Sequence, residues 1–200
     1  MYKKIIIKDL GLTHWKTTFL AMHEFIKNSS SQSIDEIWFL EHYSIFTHGQ
    51  VKNHDNIINL NNIPLEYSDR GGRITYHAPG QQIVYFLINI KRRNIYPRCL
   101  ITLLEKLIIN TLKYFSIIGY TINNYPGVYV DNKKICSIGL RIKNGYSLHG
   151  LALNVNLDLL PFNYIYPCGN QNIKMTMMAD YVSNITMHQV KTVLLKQNFF

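Results

Sequence analysis

KKICSIGLRIKNGYSLHGLALNVN, residues 133–156, holds two apolar runs on either side of Asn144-Gly145. Asn-Gly tolerates the positive φ that both central residues of a two-residue type I′ turn require, so this pair predicts an antiparallel hairpin of strands Lys134 to Ile142 and Tyr146 to Asn156. A doubly wound parallel sheet needs a helix between successive strands, and none fits here. The sheet must therefore be mixed or largely antiparallel.

Working outward, Val128 to Val130 reads as a strand that enters the hairpin through a second turn at Asp131-Asn132. Further strands are expected at Gln82 to Ile88, Glu36 to Glu41 and Lys4 to Lys8. Apolar residues at Trp15, Phe19, Met22 and Ile26 predict a helix from about Thr13, ended by the polar run Asn28 to Ser33. A second helix, about Arg98 to Phe115, carries Ile101, Leu104, Ile108, Leu112 and Phe115 at helical spacing, and a last one occupies about Thr186 to Gln197. The expected fold class is α/β (α+β), one domain spanning 1–200, with helices flanking the sheet.

Composition agrees with a packed interior: 47% hydrophobic and 16% charged residues in 200, a length that buries roughly 70% of the unfolded surface. The N-terminal MYKKIIIKDLG lacks the apolar length and small-residue cleavage site of a signal peptide, and no run is long enough to span a membrane, so a soluble cytoplasmic protein is expected. Cys99, Cys136 and Cys168 form an odd set without C-x-x-C spacing, which disfavours a disulfide framework or zinc site. Net charge is +9. Arg70, Arg73, Lys91, Arg92, Arg93 and Arg98 form a stretch without a carboxylate, which would attract an acidic partner; the abundance of lysine, asparagine and isoleucine across the chain also raises charge without functional meaning.

Three stretches carry candidate chemistry. In RGGRITYHAPGQ (70–81) paired glycines let backbone approach a ligand, and Arg70, Thr75 and His77 favour a binding loop over a plain surface loop. In GVYVDNKKICSIGLR (127–141) Lys134 and Cys136 stand two apart, on one face of a regular strand, where an ammonium would lower a thiol's pKa. In YPCG (166–169) a rigid turn would fix and expose the Cys168 sulfur. Either cysteine could be a nucleophile on this reading. Of the histidines, His42, His77 and His149 lie near these stretches, each as readily structural as catalytic.

RGGRITYHAPGQ, GVYVDNKKICSIGLR, SLHGLALNV and YPCG, in this order over about Glu41 to Gly169, resemble the lipoyl(octanoyl) transferases. The resemblance implies Cys168 as the acylated nucleophile and Lys134 as the residue that lowers its pKa. It implies substrate contacts at Arg70, Gly71, Gly72, Arg73, Ile74, Thr75, Tyr76 and His77, at Ser137, Ile138 and Gly139, and at Gly150, Leu151 and Ala152. Also implied are a fold similar to biotin and lipoate protein ligase catalytic domains, and octanoyl transfer from acyl carrier protein to a lysine of lipoyl domains of 2-oxoacid dehydrogenase complexes or the glycine cleavage H protein. A monomer is expected, with no cofactor, metal, nucleic acid or membrane partner. The segment Arg92 to Arg98 is a candidate dock for the acidic carrier. Tyr43 departs from the family, which usually has proline there.

Two other readings compete. An ATP-dependent lipoate or biotin protein ligase would share the fold but not need Cys168. A nucleic-acid-binding module would explain the basic charge but leave Lys134 and Cys168 without a role.

Overall fold

The structure, a computed structural model, describes residues 4–51, 57–166, 173–197 and 199. In chain order its main elements are β1 (Ile5–Thr13), α1 (Trp15–Asn28), β2 (Asp35–His42), β3 (Ile45–His48), β4 (Leu65–Tyr67), β5 (Ile74–His77), β6 (Gln81–Leu87), α2 (Ile90–Arg93), α3 (Pro97–Tyr114), β7 (Tyr120–Ile122), β8 (Tyr125–Val130), β9 (Lys133–Lys143), β10 (Tyr146–Asn154), β11 (Lys174–Met175) and α4 (Met187–Leu195).

The large sheet runs β1-β2-β6-β10-β9-β8-β7, with β11 added beside β9, and the small one runs β4-β3-β5. Within the large sheet β1 is parallel to β2 and β11 to β9, while the other neighbours are antiparallel. The parallel β1/β2 pair is joined by helix α1, as a parallel crossover requires. Asn144 and Gly145 take φ of 52° and 80°, and Asp131 and Asn132 take 48° and 61°. Both hairpins expected from the sequence are thus closed by turns of the type I′ sense.

Side-chain alternation sends each central strand's residues to two apolar layers. Ile37, Phe39, Val84, Phe86, Leu151 and Leu153 face α3 and α4. Trp38, Leu40, Ile83, Tyr85, Leu148 and Ala152 face α1, whose Met22 and Ile26 cover them. A third cluster holds the small sheet in place, with Phe46, Ile74 and Tyr76 against Phe162 and Ile165.

Two details depart from the sequence expectations, and a third bears on Tyr43. Strand β1 continues to Thr13 because a bulge between Asp9 and Gly11, with Gly11 at φ 62°, keeps it paired with β2. The RGGRITYHAPGQ loop contains a strand, β5, whose partner β3 was not anticipated. The N–H of Tyr43 donates to Thr13 O at 3.2 Å, a hydrogen bond that proline could not make.

The basic run after β6 is partly structural. Asp35, fully buried at the start of β2, accepts from Arg92 Nη2 and, at 2.5 Å, from Arg93 Nε. Its Oδ1 also accepts from the N–H of Asn89 at 2.9 Å. The Arg92 to Arg98 segment expected as a dock for the acidic carrier is thus in part structural: Arg92 and Arg93 neutralise a buried carboxylate, while Lys91 and Arg98 remain exposed.

Candidate active site

A cavity of ≈ 430 Å³ opens where β9 loses its neighbour β8. Pairing of the two strands spans Lys133 to Ser137 only. Beyond that point the N–H of Gly71 donates to Leu140 O at 2.9 Å, so the glycine loop takes the place of a strand along this edge. Stretches 70–77, 137–139 and 150–152 are far apart in sequence, and the structure brings them together around this one cavity.

The glycines here set close approaches. A Cβ on Gly150 would lie 2.1 Å from Val84 O, and one on Gly49 would lie 2.3 Å from Gly72 O. Gly139 pairs with Gly150 across β9 and β10, and a Cβ on Gly139 would lie 3.2 Å from Gly71 O, so the absence of a side chain lets the glycine loop close onto β9. Arg70 lies along the loop rather than into solvent: Nη1 donates to Gly71 O at 3.1 Å, and Nη2 donates to Thr47 O at 2.7 Å and Thr47 Oγ1 at 2.9 Å. Of the expected substrate-contacting residues, Tyr76 alone does not line the cavity. Its ring packs on Phe46 and Phe162, and its hydroxyl donates to Ser44 Oγ at 3.1 Å.

Lys134 is 2% exposed and lines the cavity, with Nζ 5.3 Å from the centre of the Tyr129 ring. A register shift between Val128 and Tyr129 leaves Ile135 as an extra residue in β9, so Lys134 opposes Tyr129 while Cys136 opposes Val128. Such a bulge cancels the two-residue alternation. Lys134 therefore turns to the cavity side, and Ile135 and Cys136 both join the core facing α3. The expectation that Lys134 and Cys136 share a face is corrected by this bulge. Cys136 has no exposed surface, and burial pushes its thiol up to about 12 despite the charge of Lys134 nearby. It is a poor nucleophile at neutral pH. Cys168 lies outside the described residues. The described chain rejoins the sheet at β11, where Lys174 pairs with Lys133 and Met175 with Lys134.

Buried polar groups surround the cavity's inner wall. His149 has φ of 60°, and instead of following Leu151 and Leu153 toward α3 it contacts Tyr85 and Phe19 on the other side of the sheet. Its Nε2 lies 2.7 Å from Asp69 Oδ1, and His23 Nε2 lies 3.3 Å from Oδ2 of the same carboxylate. Burial lowers the pKa of His149 although Asp69 opposes that shift. His77 is held well below the usual imidazole range by burial, then by its neighbour His42. His42 is lowered to about 4 by burial, and its Nε2 meets the Tyr85 hydroxyl at 2.8 Å.

Sequence reading missed several lining residues. Trp15, Pro97 and Ile101 line the cavity from the first turns of α1 and α3; they belonged to, or bordered, stripes read as core, and their place at the helix starts was the only available hint. Tyr85, also in the wall, had no motif of its own, and Asp69, which pairs with His149 behind it, showed only as the residue before Arg70. Among the described residues no group of three or more His, Cys, Asp or Glu could hold a metal ion, and no helix is long and apolar enough to cross a membrane.

The sequence profile of the lipoyl protein ligase A/B catalytic domain matches residues 17–199. The chain is 54% identical over 198 residues to an octanoyltransferase of Buchnera aphidicola subsp. Acyrthosiphon pisum, covering 98% of this chain and 94% of that one. It is 46% identical over 197 residues to an octanoyltransferase of Escherichia coli, covering 98% and 92%. In architecture it is similar to a bi-partite lipoate protein ligase of Thermoplasma acidophilum, solved in a study of that ligase and its E2 lipoyl domain, with TM-score 0.76 and 16% identity over 98% of this chain and 82% of that one. With the profile spanning nearly its whole length, the chain belongs to the lipoyl protein ligase A/B catalytic domain family.

Proposed function

We propose that this protein transfers an octanoyl group from the thioester of an acyl carrier protein to a lysine of a lipoyl-domain protein, by way of a thioester on Cys168. The observation that carries the reading is the placement of Lys134, a buried amine in the wall of a cavity whose lining is mostly apolar. Such a cavity suits a short acyl chain, and a buried amine beside it suits proton transfer. The octanoyltransferase relatives support the substrate, and the ligase studied with its lipoyl domain supports the acceptor class.

In the first step the Cys168 thiolate attacks the carbonyl carbon of the carrier's thioester. A carbon–sulfur bond to Cys168 forms, the bond to the carrier breaks, and the carrier departs as a thiolate that then takes the proton of the Lys134 ammonium, leaving that amine neutral for the second step. The acceptor lysine then attacks as a neutral amine, Lys134 takes the proton that this nitrogen must lose, and Cys168 departs as thiolate. The acyl group arrives already activated, so the reading invokes neither nucleotide nor metal.

The test is intact-mass measurement after incubation with octanoyl acyl carrier protein, for wild type, Cys168→Ser and Cys136→Ser. An octanoyl adduct removable by hydroxylamine is expected on wild type and Cys136→Ser and absent from Cys168→Ser. An adduct persisting in Cys168→Ser would overturn the nucleophile. No adduct, together with octanoylation of a lipoyl domain from free octanoate and ATP, would replace the reading with the ligase one.

A further inference from the structure

A chain of buried hydrogen bonds runs behind the cavity from the glycine loop to the backbone of Lys134. Arg70 Nη2 donates to Thr47 Oγ1 at 2.9 Å, and Thr47 Oγ1 lies 3.2 Å from His77 Nε2. His77 Nδ1 lies 2.8 Å from Gln81 Oε1, and Gln81 Nε2 donates to Asn154 Oδ1 at 2.9 Å. Asn154 Nδ2 donates to Thr176 O at 2.9 Å, and the Thr176 N–H donates to Lys134 O at 3.0 Å. Thr47, Gln81, Asn154 and Thr176 are each at most 1% exposed.

The donors of this chain are ordered. A guanidinium can only donate, so the Thr47 hydroxyl accepts from Arg70 and is free to give its own hydrogen onward. The Gln81 amide donates to Asn154, which leaves its carbonyl oxygen toward His77, and that oxygen can only accept. His77 must then carry its proton on Nδ1 and accept at Nε2 from Thr47. Every link points one way, and both nitrogens of the His77 ring are engaged. Within this chain the ring is a held wall rather than a free base.

We propose that Thr47, a strand residue that does not itself line the cavity, is a positioning residue for the transfer reaction: its hydroxyl holds the bare Nε2 of His77, whose tautomer Gln81 sets, and the path of the Arg70 side chain, and through the chain keeps the glycine-loop wall in register with Lys134. Thr47 sits on β3, directly opposite Thr75 of β5, so its side chain is placed by the small sheet. The kinetic consequence rests on the acyl-transfer reading above; the tautomer does not.

The experiment compares Thr47→Val, Thr47→Ala and Thr47→Ser with wild type, each checked for a cooperative thermal transition. Ring-nitrogen NMR of His77 is expected to show a protonated Nδ1 and a bare, hydrogen-bonded Nε2 in wild type and Thr47→Ser, and a bare Nε2 that has lost its hydrogen bond in the Val and Ala variants. Octanoyl-enzyme formation at saturating carrier is expected to slow about 10- to 100-fold in Val and Ala, the scale of a lost hydrogen bond in a charged network, and to return in Ser. A protonated Nε2 in wild type would overturn the chain's direction. Equal rates in Val, Ala and wild type, or a Ser variant as slow as Val, would overturn the role of the hydroxyl. If wild type formed no acyl-enzyme, the proposed function would fail, while the NMR result would still decide the placement of the proton.

Discussion

Lys134 stands directly opposite Tyr129 on the neighbouring strand, its Nζ 5.3 Å from the ring centre, whereas Cys136, two residues on, stands opposite Val128 in the core. One inserted residue, Ile135, separates the two environments. A buried ammonium facing an aromatic ring gains roughly 1–2 kcal/mol from the ring's quadrupole, and a thiol surrounded by aliphatic side chains gains nothing by ionising.

Replacing Lys134 separates its two assigned tasks. Arginine keeps a positive charge but does not give up its proton in proteins. Lys134→Arg is expected to retain formation of the octanoyl-enzyme while transfer to the acceptor lysine falls about 10²- to 10⁴-fold, the usual span for general-base catalysis. Lys134→Met is expected to lose both steps. Rapid-quench measurement of each step decides it; wild-type transfer in the arginine variant would remove the base role from Lys134.

The described cysteines should differ sharply in reactivity. Cys99 is exposed in the first turn of α3, and Cys136 is buried with its thiol pushed up to about 12. Iodoacetamide at pH 7.5 is expected to label Cys99 in the folded protein and to reach Cys136 only in urea. Peptide mass mapping reads the sites. Labelling of Cys136 at the rate of Cys99 would contradict its burial.

Local chemistry made the framework legible and left the rest obscure. Asn144-Gly145 and Asp131-Asn132 announced their hairpins because few residues accept positive φ at two successive positions. Trp15, Met22 and Ile26 announced α1 because a helix covering a sheet repeats its apolar stripe. The small sheet did not announce itself: β3, β4 and β5 are 4, 3 and 4 residues long, too short for alternation to stand out, and they pair across intervening loops. In the site, the glycine loop and Lys134 were readable as motifs. Thr47, Gln81 and Asn154 were not, because an isolated polar residue shows no partner until the chain folds. The bulge at Ile135 likewise has no local signature, so alternation put Lys134 and Cys136 on one face.

Acid should weaken this protein before it protonates most carboxylates. His42, lowered by burial to about 4, is neutral when folded and takes up a proton near 6.5 once unfolded. Its folded pKa is the lower one, so the unfolded chain binds more protons between these values and stability falls as pH drops through that window. His77 and His149, both lowered chiefly by burial, act in the same direction. His42 alone is worth on the order of 3 kcal/mol by pH 4. Urea midpoints are expected to decline from pH 6.5 to 4 and to decline less in His42→Gln. A flat profile over this range would show that these rings are not held neutral.

The basic run after β6 divides into a structural pair and a surface pair, and mutation should tell them apart. Asp35→Asn would leave the mostly buried Arg93, whose side chain is 8% exposed, beside a neutral amide. Breaking a buried ion pair from one side typically costs about 3–5 kcal/mol, so Asp35→Asn is expected to lower the urea midpoint sharply, with transfer activity lost only as the protein unfolds. Lys91 and Arg98 are exposed, and charge reversal there should leave the midpoint unchanged. If the proposed acidic carrier approaches over this surface, Lys91→Glu with Arg98→Glu should slow octanoyl-enzyme formation at low salt, and the difference from wild type should shrink as ionic strength rises and the Debye length falls to about 8 Å. A rate independent of both the reversal and the salt would put the carrier on another face of the molecule.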